Sequence, residues 1–352
     1  CLSWSWCVWE NVVTPVIGLL TVSTLIGLLT GGWWMGKAEH RPYVLPLLLL
    51  SVLPSFVILV AVYAWRYRSA APMPLVVAVY LFGIFAAAPV ALLESYVADA
   101  VFPEKPLDAM DVVRPAYELI LFSAGNAFLV AALFEEAFKV AFTSWRADDK
   151  SSGRFLTSYG IVVVGISTAL GFATLENATY VLSQHSRLEH AFLTAAGRAG
   201  LSVPLHAVTG ALVGWGVARR HRARPATPLG PASVDGKADR ARDPPHIMTV
   251  FLLPWFIHGL FDFSLMVGPA LEPHLTKSQY DGVIKAGVAV AVLVVGASAA
   301  IAIWFVGDLA YFSTKEHPRE DAAEWPSIEA FEQGIGCASG REKDQSDVPV
   351  WR

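Results

Sequence analysis

About eight long apolar runs divide the chain, and their repetition limits its possible folds more than any single residue does. A helix that crosses a bilayer needs about 20 predominantly apolar residues. Runs of suitable length lie at residues 12–30, 43–65, 74–98, 116–142, 157–182, 191–217, 247–268 and 282–311. The sequence therefore predicts an all-α fold, a polytopic membrane helix bundle with about eight transmembrane helices.

The composition is typical of a chain whose main solvent is lipid. Charged residues make up 16% of the 352 residues, whereas soluble domains carry roughly 25%. The formal net charge is -4 and there is no large basic block, so nucleic acid is not an expected partner. The three cysteines, Cys1, Cys7 and Cys337, form no CxxC pair and predict neither a disulfide framework nor a cysteine zinc site.

Two polar segments interrupt the apolar pattern, and they suggest how the chain is organised. Residues 218–246 are rich in Pro, Arg and Asp, and the segment after about residue 313 has no apolar period, so both are predicted to be disordered. No convincing internal repeat is visible, which weakens the picture of an inverted-repeat transporter. The predicted units are N-terminal transmembrane helices at 1–115, a motif-bearing catalytic core at 116–268 with a disordered loop at 218–246, a last transmembrane helix at 269–312 and a disordered cytoplasmic tail at 313–352.

Lysine and arginine are concentrated in alternate connections, and this asymmetry predicts the orientation. With the N-terminus in the cytoplasm, the opposite side of the membrane holds only Lys37, Arg41, Lys105, Arg114, Arg187 and Lys277. The cytoplasmic side then holds Arg66, Arg68, Arg146, Lys150, Arg154, Arg219, Arg220, Arg222, Arg224, Lys237, Arg240 and Arg242. We therefore expect an integral, multi-pass protein with both termini in the cytoplasm.

Two adjacent acids, Glu135 and Glu136, lie inside the apolar segment FLVAALFEEAFKVAF. A carboxylate at hydrocarbon depth costs a few kcal/mol or more, so it is kept only where a partner or a function offsets that cost. Lys139 follows Glu135 by four residues and Glu136 by three, and it can neutralise one of them on the same helix face. The other acid is then left for a proton, a metal or a water, unless the group only fixes helix packing.

A third acid, Glu176, lies among apolar and small residues in TALGFATLENATYVL, with Asn177 as a neighbouring donor. Glu176 either belongs to a polar interior or reaches the interface from a helix end. From ideal helices, Glu135 and Glu176 differ in depth by on the order of 10 Å. Helix tilt or a break would have to close that gap; otherwise Glu176 is a supporting or structural residue.

The sixth run, GRAGLSVPLHAVTGALVGWG, contains Arg198 and His206. Arg198 is expected to be a carboxylate partner or an interface anchor. His206 is either a hydrogen-bonded packing residue or a site residue, and Pro204 should loosen the backbone just before it. Gly210 and Gly214 form a small-xxx-small face that predicts close helix approach.

The seventh run, PWFIHGLFDFSLM, carries His258 and Asp262 at the i,i+4 spacing that places both on one helix face. A carboxylate beside an imidazole fixes the tautomer for metal binding or proton transfer. A self-satisfied polar pair between helices is the alternative. Gly259, next to His258, allows close approach of a backbone or a substrate.

Together these residues place acids, imidazoles and cations on four consecutive helices, which is how helix bundles build catalytic sites. Two histidines and a carboxylate can bind Zn²⁺ with one open position, and His206, His258 and Glu176 are the predicted ligands. Without a metal, a glutamate can activate water directly while a histidine or asparagine stabilises the oxyanion. Both routes lead to hydrolysis. Glu135 is favoured as the base, with Lys139 neutralising Glu136, and the opposite assignment of the two acids stays open.

The motif set resembles the PrsW family of multi-pass membrane proteases, which is related to the CAAX-processing and bacteriocin-processing intramembrane proteases. The resemblance covers about residues 116–268 and rests on Glu-Glu-x-x-Lys at 135–139, Phe-x-x-x-Glu-Asn at 172–177, Arg198, His-Ala-x-x-Gly at 206–210 and His-Gly-x-x-Asp at 258–262. It implies peptide-bond hydrolysis within or beside the membrane by a Glu-activated water, with or without a divalent metal.

The resemblance also implies roles for these residues. Its catalytic set is Glu135, Glu136, Glu176, His206 and His258. The supporting residues are Lys139, Asn177, Arg198 and Asp262. A membrane protein or peptide would be the substrate. Two other readings remain open from the sequence: a proton- or ion-coupled transporter, since intramembrane acids also form proton relays, and a non-catalytic membrane scaffold.

Overall fold

The structure is a computed structural model that describes residues 41–65, 70–102, 115–148, 156–184, 187–222 and 246–316, together with four residues between 19 and 27. Within these ranges the chain forms helices and no strand. The predicted first span at 12–30 lies almost entirely outside the described residues, as do most of the predicted loop at 218–246 and the predicted tail. A main unit covers Cys1–Tyr311 and a second covers Phe312–Arg352, of which the described part is the helical backbone to Glu316.

Seven helices in the described ranges are long and apolar enough to cross a membrane. In chain order they are α1 (Arg41–Trp65), α2 (Met73–Val101), α3 (Ala116–Asp148), α4 (Ser158–Ser183), α5 (Leu188–Arg222), α6 (Ile247–Leu271) and α7 (Lys277–Glu316). A 3-10 turn, Glu272–His274, connects α6 to α7. These helices correspond to the second to eighth apolar runs, so the predicted all-α membrane bundle is confirmed.

Helix α4 lies at the centre of the described bundle. Of the residues in its most apolar window 94% are buried, compared with 17% in α7. Small residues allow its neighbours to approach closely: a Cβ atom added to Gly171 would overlap the carbonyl oxygen of Tyr80 on α2, and one added to Gly210 would lie 2.6 Å from the carbonyl oxygen of Gly165. The predicted close approach at Gly210 and Gly214 is therefore observed, and it is made against α4.

Helices α3 and α5 each contain a short π-helical segment. These segments are Asn126–Ala131 in α3 and Arg198–Ser202 in α5. In α5 the segment comes just before Pro204, which has no N–H to donate to the carbonyl of the fourth residue before it. In α3 the carbonyl oxygen of Phe128 accepts a hydrogen bond from Trp255 Nε1 at 2.8 Å. The α3 segment ends about one turn before Glu135, and the α5 segment begins at Arg198 and ends about one turn before His206. π segments are common at such functional positions.

Candidate active site

Four consecutive helices, α3 to α6, bring the polar residues of the predicted motifs to one place inside the bundle. Their side chains are largely buried: Lys139 and Glu136 are 0% exposed, and His206 and His258 are 1% and 2% exposed. Charged groups at this depth require partners, because an unpaired charge away from water is very costly. The contacts among them therefore define the site.

Glu136 is the acid that Lys139 neutralises most directly. Lys139 Nζ lies 2.7 Å from Glu136 Oε1 and 3.4 Å from Glu135 Oε2. The same Glu136 oxygen lies 2.8 Å from His258 Nδ1. Because a carboxylate accepts, His258 donates its Nδ1 hydrogen here, and the lone pair of its neutral ring is then on Nε2. Glu136 is thus engaged by a cation and an imidazole from two helices.

Glu135 lies between the two imidazoles. Its Oε2 atom is 3.8 Å from His206 Nδ1 and 3.8 Å from His258 Nε2. Both separations exceed hydrogen-bond length. Glu135 therefore keeps an oxygen close to three nitrogens of the site, with its shortest contact at the 3.4 Å distance from Lys139.

His206 has a partner on each ring nitrogen. Lys139 Nζ lies 3.1 Å from Nδ1, and Glu176 Oε2 lies 2.9 Å from Nε2. An ammonium can only donate and a carboxylate can only accept, so the neutral ring carries its hydrogen on Nε2. The network assigns this tautomer, and it connects Lys139 of α3 through His206 of α5 to Glu176 of α4.

Arg198 holds Glu176 in place. One of its terminal nitrogens lies 2.6 Å from Glu176 Oε1, and its Nε donates to Asn177 Oδ1 at 2.5 Å. The guanidinium also donates to Ser202 Oγ at 3.1 Å and lies over the ring of Tyr180, 4.2 Å from its centroid. Of the two expectations for Arg198, the carboxylate partner is the one the contacts support.

The expected depth gap between Glu135 and Glu176 is closed in the structure. Both carboxylates contact His206, one on each side of the ring. Glu176 is engaged inside the described bundle by Arg198 and His206. The i,i+4 pair on α6 is also in contact, with His258 Nε2 3.4 Å from Asp262 Oδ2.

Glu135, His206 and His258 form a group that could hold a metal ion. One ligand atom from each residue lies within 4.8 Å of the others, and all three residues are buried. The 3.8 Å separations are close to the spacing of about 3.4 Å between ligands around a tetrahedral zinc. The Glu136 contact on His258 Nδ1 is the arrangement that orients metal-binding imidazoles. The donor set therefore fits a divalent cation.

This group differs from the predicted ligand set in one residue. Glu135 takes the place that the sequence suggested for Glu176. The Glu176 carboxylate is instead engaged by Arg198 on one oxygen and by His206 on the other. The role of Glu176 as a ligand stays a prediction, and the geometry favours Glu135.

A cavity of about 600 Å³ is lined by Glu135, Glu176 and Asp262. It is lined mainly by the C-terminal halves of α2, α4 and α6. One lining residue was missed by the sequence reading: Glu94 of α2 faces the same cavity. The sequence contains a signal for this residue, because Glu94 is an acid inside the apolar run at 74–98. Because Glu94 lies close to the end of that run, the sequence alone suggests an acid that reaches the membrane interface.

The fold and the site together define a polytopic helical membrane protein with a buried glutamate–histidine centre. Residues 71–297 match the family described as PrsW family intramembrane metalloprotease. The match covers more than half of the chain, and the protein belongs to this family. No solved structure matches the chain significantly.

Several bacterial proteins named Protease PrsW are similar to this chain. The protein of Geobacillus kaustophilus is 32% identical over 164 residues, which is 46% of this chain and 61% of the relative. The protein of Clostridioides difficile is 28% identical over 141 residues, 40% of this chain and 52% of the relative. The protein of Bacillus subtilis is 36% identical over 107 residues, 30% of this chain and 39% of the relative. The similarity thus spans about half the length of these relatives.

Proposed function

We propose that the protein is an intramembrane endopeptidase that hydrolyses peptide bonds of membrane-associated protein substrates. The observation that carries the proposal is the buried group of Glu135, His206 and His258, with ligand atoms within 4.8 Å of one another. A cavity of about 600 Å³ leads to Glu135, so a substrate segment can reach this group. Membership of a family described as intramembrane metalloproteases supports the same conclusion.

In this proposal Glu135 is the general base. Lys139 is closer to Glu136 than to Glu135, 2.7 Å against 3.4 Å, so Glu136 remains a fixed anion and Glu135 is the acid available for proton transfer. Glu135 takes a proton from a water molecule while the oxygen of that water attacks the scissile carbonyl. It then gives the proton to the leaving nitrogen as the C–N bond breaks, which leaves a carboxylic acid and an amine.

The remaining residues position this chemistry. Glu136 fixes the ring of His258, and Glu176 fixes the ring of His206. Arg198 holds Glu176 in turn, and Asn177 accepts a hydrogen bond from Arg198. With both imidazoles held in these tautomers, the nitrogens that face Glu135 are His206 Nδ1 and His258 Nε2, which carry lone pairs and are placed to hold a divalent cation.

A zinc ion is the proposed cofactor: His206 and His258 would hold it together with one oxygen of Glu135, which leaves the other Glu135 oxygen to act as the base. When bound, it would supply Lewis-acid polarisation and a more acidic water. Measuring the zinc content of the pure protein tests this. We expect about one equivalent in the wild type, with loss in Glu135→Gln, His206→Ala and His258→Ala but retention in Glu176→Gln. Loss of zinc in Glu176→Gln with retention in Glu135→Gln would restore the ligand set suggested by the sequence. A zinc-free, active wild type would show that Glu135 acts on water alone.

The proteolytic function is tested by purification in detergent and assay on single-span membrane peptides. We expect Glu135→Gln, Glu136→Gln and His258→Ala to lower turnover by a hundredfold or more, on the order of what removal of a catalytic acid–base group costs. His190→Ala, an exposed histidine at the start of α5, is the matched control and should keep full activity. Wild-type turnover in all three site variants would exclude this catalytic mechanism and favour a scaffold.

We further infer that residues 116–268 form the catalytic core and that both termini are cytoplasmic. The contacts among α3, α4, α5 and α6 support the first point, and the distribution of basic residues supports the second. In this orientation the C-terminal ends of α2, α4 and α6 face the opposite side of the membrane, and so does the end of the bundle that holds the cavity. The lining of this cavity comes mainly from the C-terminal halves of α2, α4 and α6 and from the site itself, which favours a substrate-access cavity over the polar path across the bilayer that a transporter needs.

A further inference from the structure

Glu94 is a cavity-lining acid that the proposed chemistry does not use. It lies on α2, about two helical turns before the end of that helix at Val101. Its Oε1 atom is buried and has no hydrogen-bond partner among the described residues. A buried carboxylate oxygen without a partner costs free energy, so a function must compensate for its presence.

The other acids of the site each have a basic partner. Lys139 contacts Glu135 and Glu136, with distances of 3.4 Å and 2.7 Å. Asp262 lies 3.4 Å from His258 Nε2. Glu176, likewise, is paired with Arg198. Among the acids that line the described cavity, Glu94 is thus the one without a basic group beside it. The cavity wall is also net acidic: it contains four acids and a single arginine, which Glu176 already engages.

The surroundings of Glu94 leave room for a ligand. Ala87, Ala88 and Ala91 line the same wall of the cavity on α2, and none of them extends beyond a methyl group. At the rim, Leu92 is 73% exposed and Tyr180 is 46% exposed, so the cavity reaches the surface of the described bundle. Glu94 is roughly 10 Å below the end of α2, at 1.5 Å per residue. At that depth a long cationic side chain can keep its stem in apolar surroundings while its head reaches a carboxylate.

We propose that Glu94 is a specificity-determining residue that binds a lysine or arginine side chain of the substrate. The acidic wall, the missing partner and the small neighbours all favour a cationic group on a long stem as the occupant. The recognised residue lies on the substrate segment between the active-site group and the ends of α2, α4 and α6. This inference rests on the proposed protease function, because it assigns a substrate feature to the same cavity.

The first test compares substrates with the unmodified enzyme. Single-span Leu/Ala peptides, labelled at both ends, carry Lys, norleucine or Glu at successive positions along the segment. At one position, or at two adjacent positions, we expect Lys to raise kcat/KM by about tenfold or more over norleucine, and Glu to lower it, as measured for close charge pairs in other interfaces. An equal rate for Lys and norleucine at every position would overturn the proposal without the use of any variant.

The second test changes the residue. Glu94→Gln should reduce the Lys preference to within about twofold while rates on the norleucine peptide stay near wild type, and Glu94→Lys should transfer the preference to the Glu peptide. Glu272→Gln is the control: it removes an exposed acid just after α6, at the same end of the bundle, and should keep the Lys preference. The rate on the norleucine peptide reports whether each variant is folded.

The outcomes separate this inference from the protease assignment. If the wild-type enzyme cleaves none of the peptides in the library, the proposed function fails. If it cleaves them with a Lys preference that persists in Glu94→Gln, only the role of Glu94 fails. A preference that is lost in Glu94→Gln and reversed in Glu94→Lys supports both.

Discussion

Lys139 sets the charge balance of the site from within a single helix. It contacts Glu135 and Glu136 on its own helix and His206 on another, and it is fully buried. A buried cation with two carboxylates and an imidazole is stable only as a set, because removing one member leaves an uncompensated charge. At the scale of single residues, the site is therefore a coupled network.

This coupling predicts how Lys139 variants behave. Lys139→Met leaves Glu136 without its cation and should destabilise the protein by about 3–5 kcal/mol, the usual effect of breaking a buried ion pair. Thermal unfolding in detergent measures the change. The double variant Lys139→Met/Glu136→Gln should be more stable than Lys139→Met alone, since it also removes the unpaired anion. A double variant whose loss in free energy of unfolding equals the sum of the two single losses would show that the residues are independent.

Part of this network could be predicted from the sequence, and part could not. The i,i+3 and i,i+4 spacings predict that Lys139 meets both acids and that His258 meets Asp262, because helix geometry alone fixes those contacts. The contact of His206 with Glu176 depends on where two helices cross, which no local spacing specifies. Glu94 was missed for the same reason: only the packing of α2 against α4 turns an apparent interfacial acid toward the cavity.

At the scale of helices, the site depends on close backbone approach around α4. The glycines of α4 and α5 let the backbones of the two helices cross in contact. This close crossing brings the Glu176 side chain against His206. The π segments of α3 and α5, NAFLVA and RAGLS, could not be read from hydropathy, because hydropathy does not distinguish a π turn from an α turn. The presence and extent of the helices followed directly from the lengths of the apolar runs.

Glycine substitutions in α5 should separate close packing from helix propensity. Gly210→Ala places a methyl group 2.6 Å from the carbonyl oxygen of Gly165 and 2.7 Å from Ala169 Cβ, so the helices must move apart. We expect destabilisation of about 1–3 kcal/mol, typical of overpacking, together with lower activity. Gly197→Ala, on the same helix with nothing within 4 Å, is the control and should be neutral or slightly stabilising. Equal melting temperatures for the two variants would contradict the role of this crossing.

At the scale of the whole molecule, the cavity gives the bundle two unlike ends. The half of the bundle that contains the C-termini of α2, α4 and α6 lines the cavity, and the other end carries the basic residues at the end of α5, Arg219, Arg220 and Arg222. The family match and the membrane-spanning helices agree on an integral multi-pass protein. The proposed orientation determines from which side a substrate's polar region is presented.

Cysteine labelling tests that orientation. In a protein whose Cys1, Cys7 and Cys337 are replaced by serine, Lys277→Cys at the start of α7 should react with a membrane-impermeant maleimide in intact cells. Arg222→Cys at the end of α5 should react only after the membrane is opened. Both positions are exposed, so reactivity reports the side of the membrane. The reverse pattern would place the termini outside and the cavity toward the cytoplasm.

The ion pair within α3 also bears on how the chain assembles during synthesis. In chain order α3 enters the bilayer before α5 and α6, so Glu135 and Glu136 meet lipid before the two histidines are available. Each uncompensated acid at the centre of a span raises the cost of insertion by about 2.5–3.5 kcal/mol. With Lys139 one turn away, the nascent segment carries one net charge instead of two. The lysine that balances the finished site therefore also acts as a built-in counter-ion for its biogenesis.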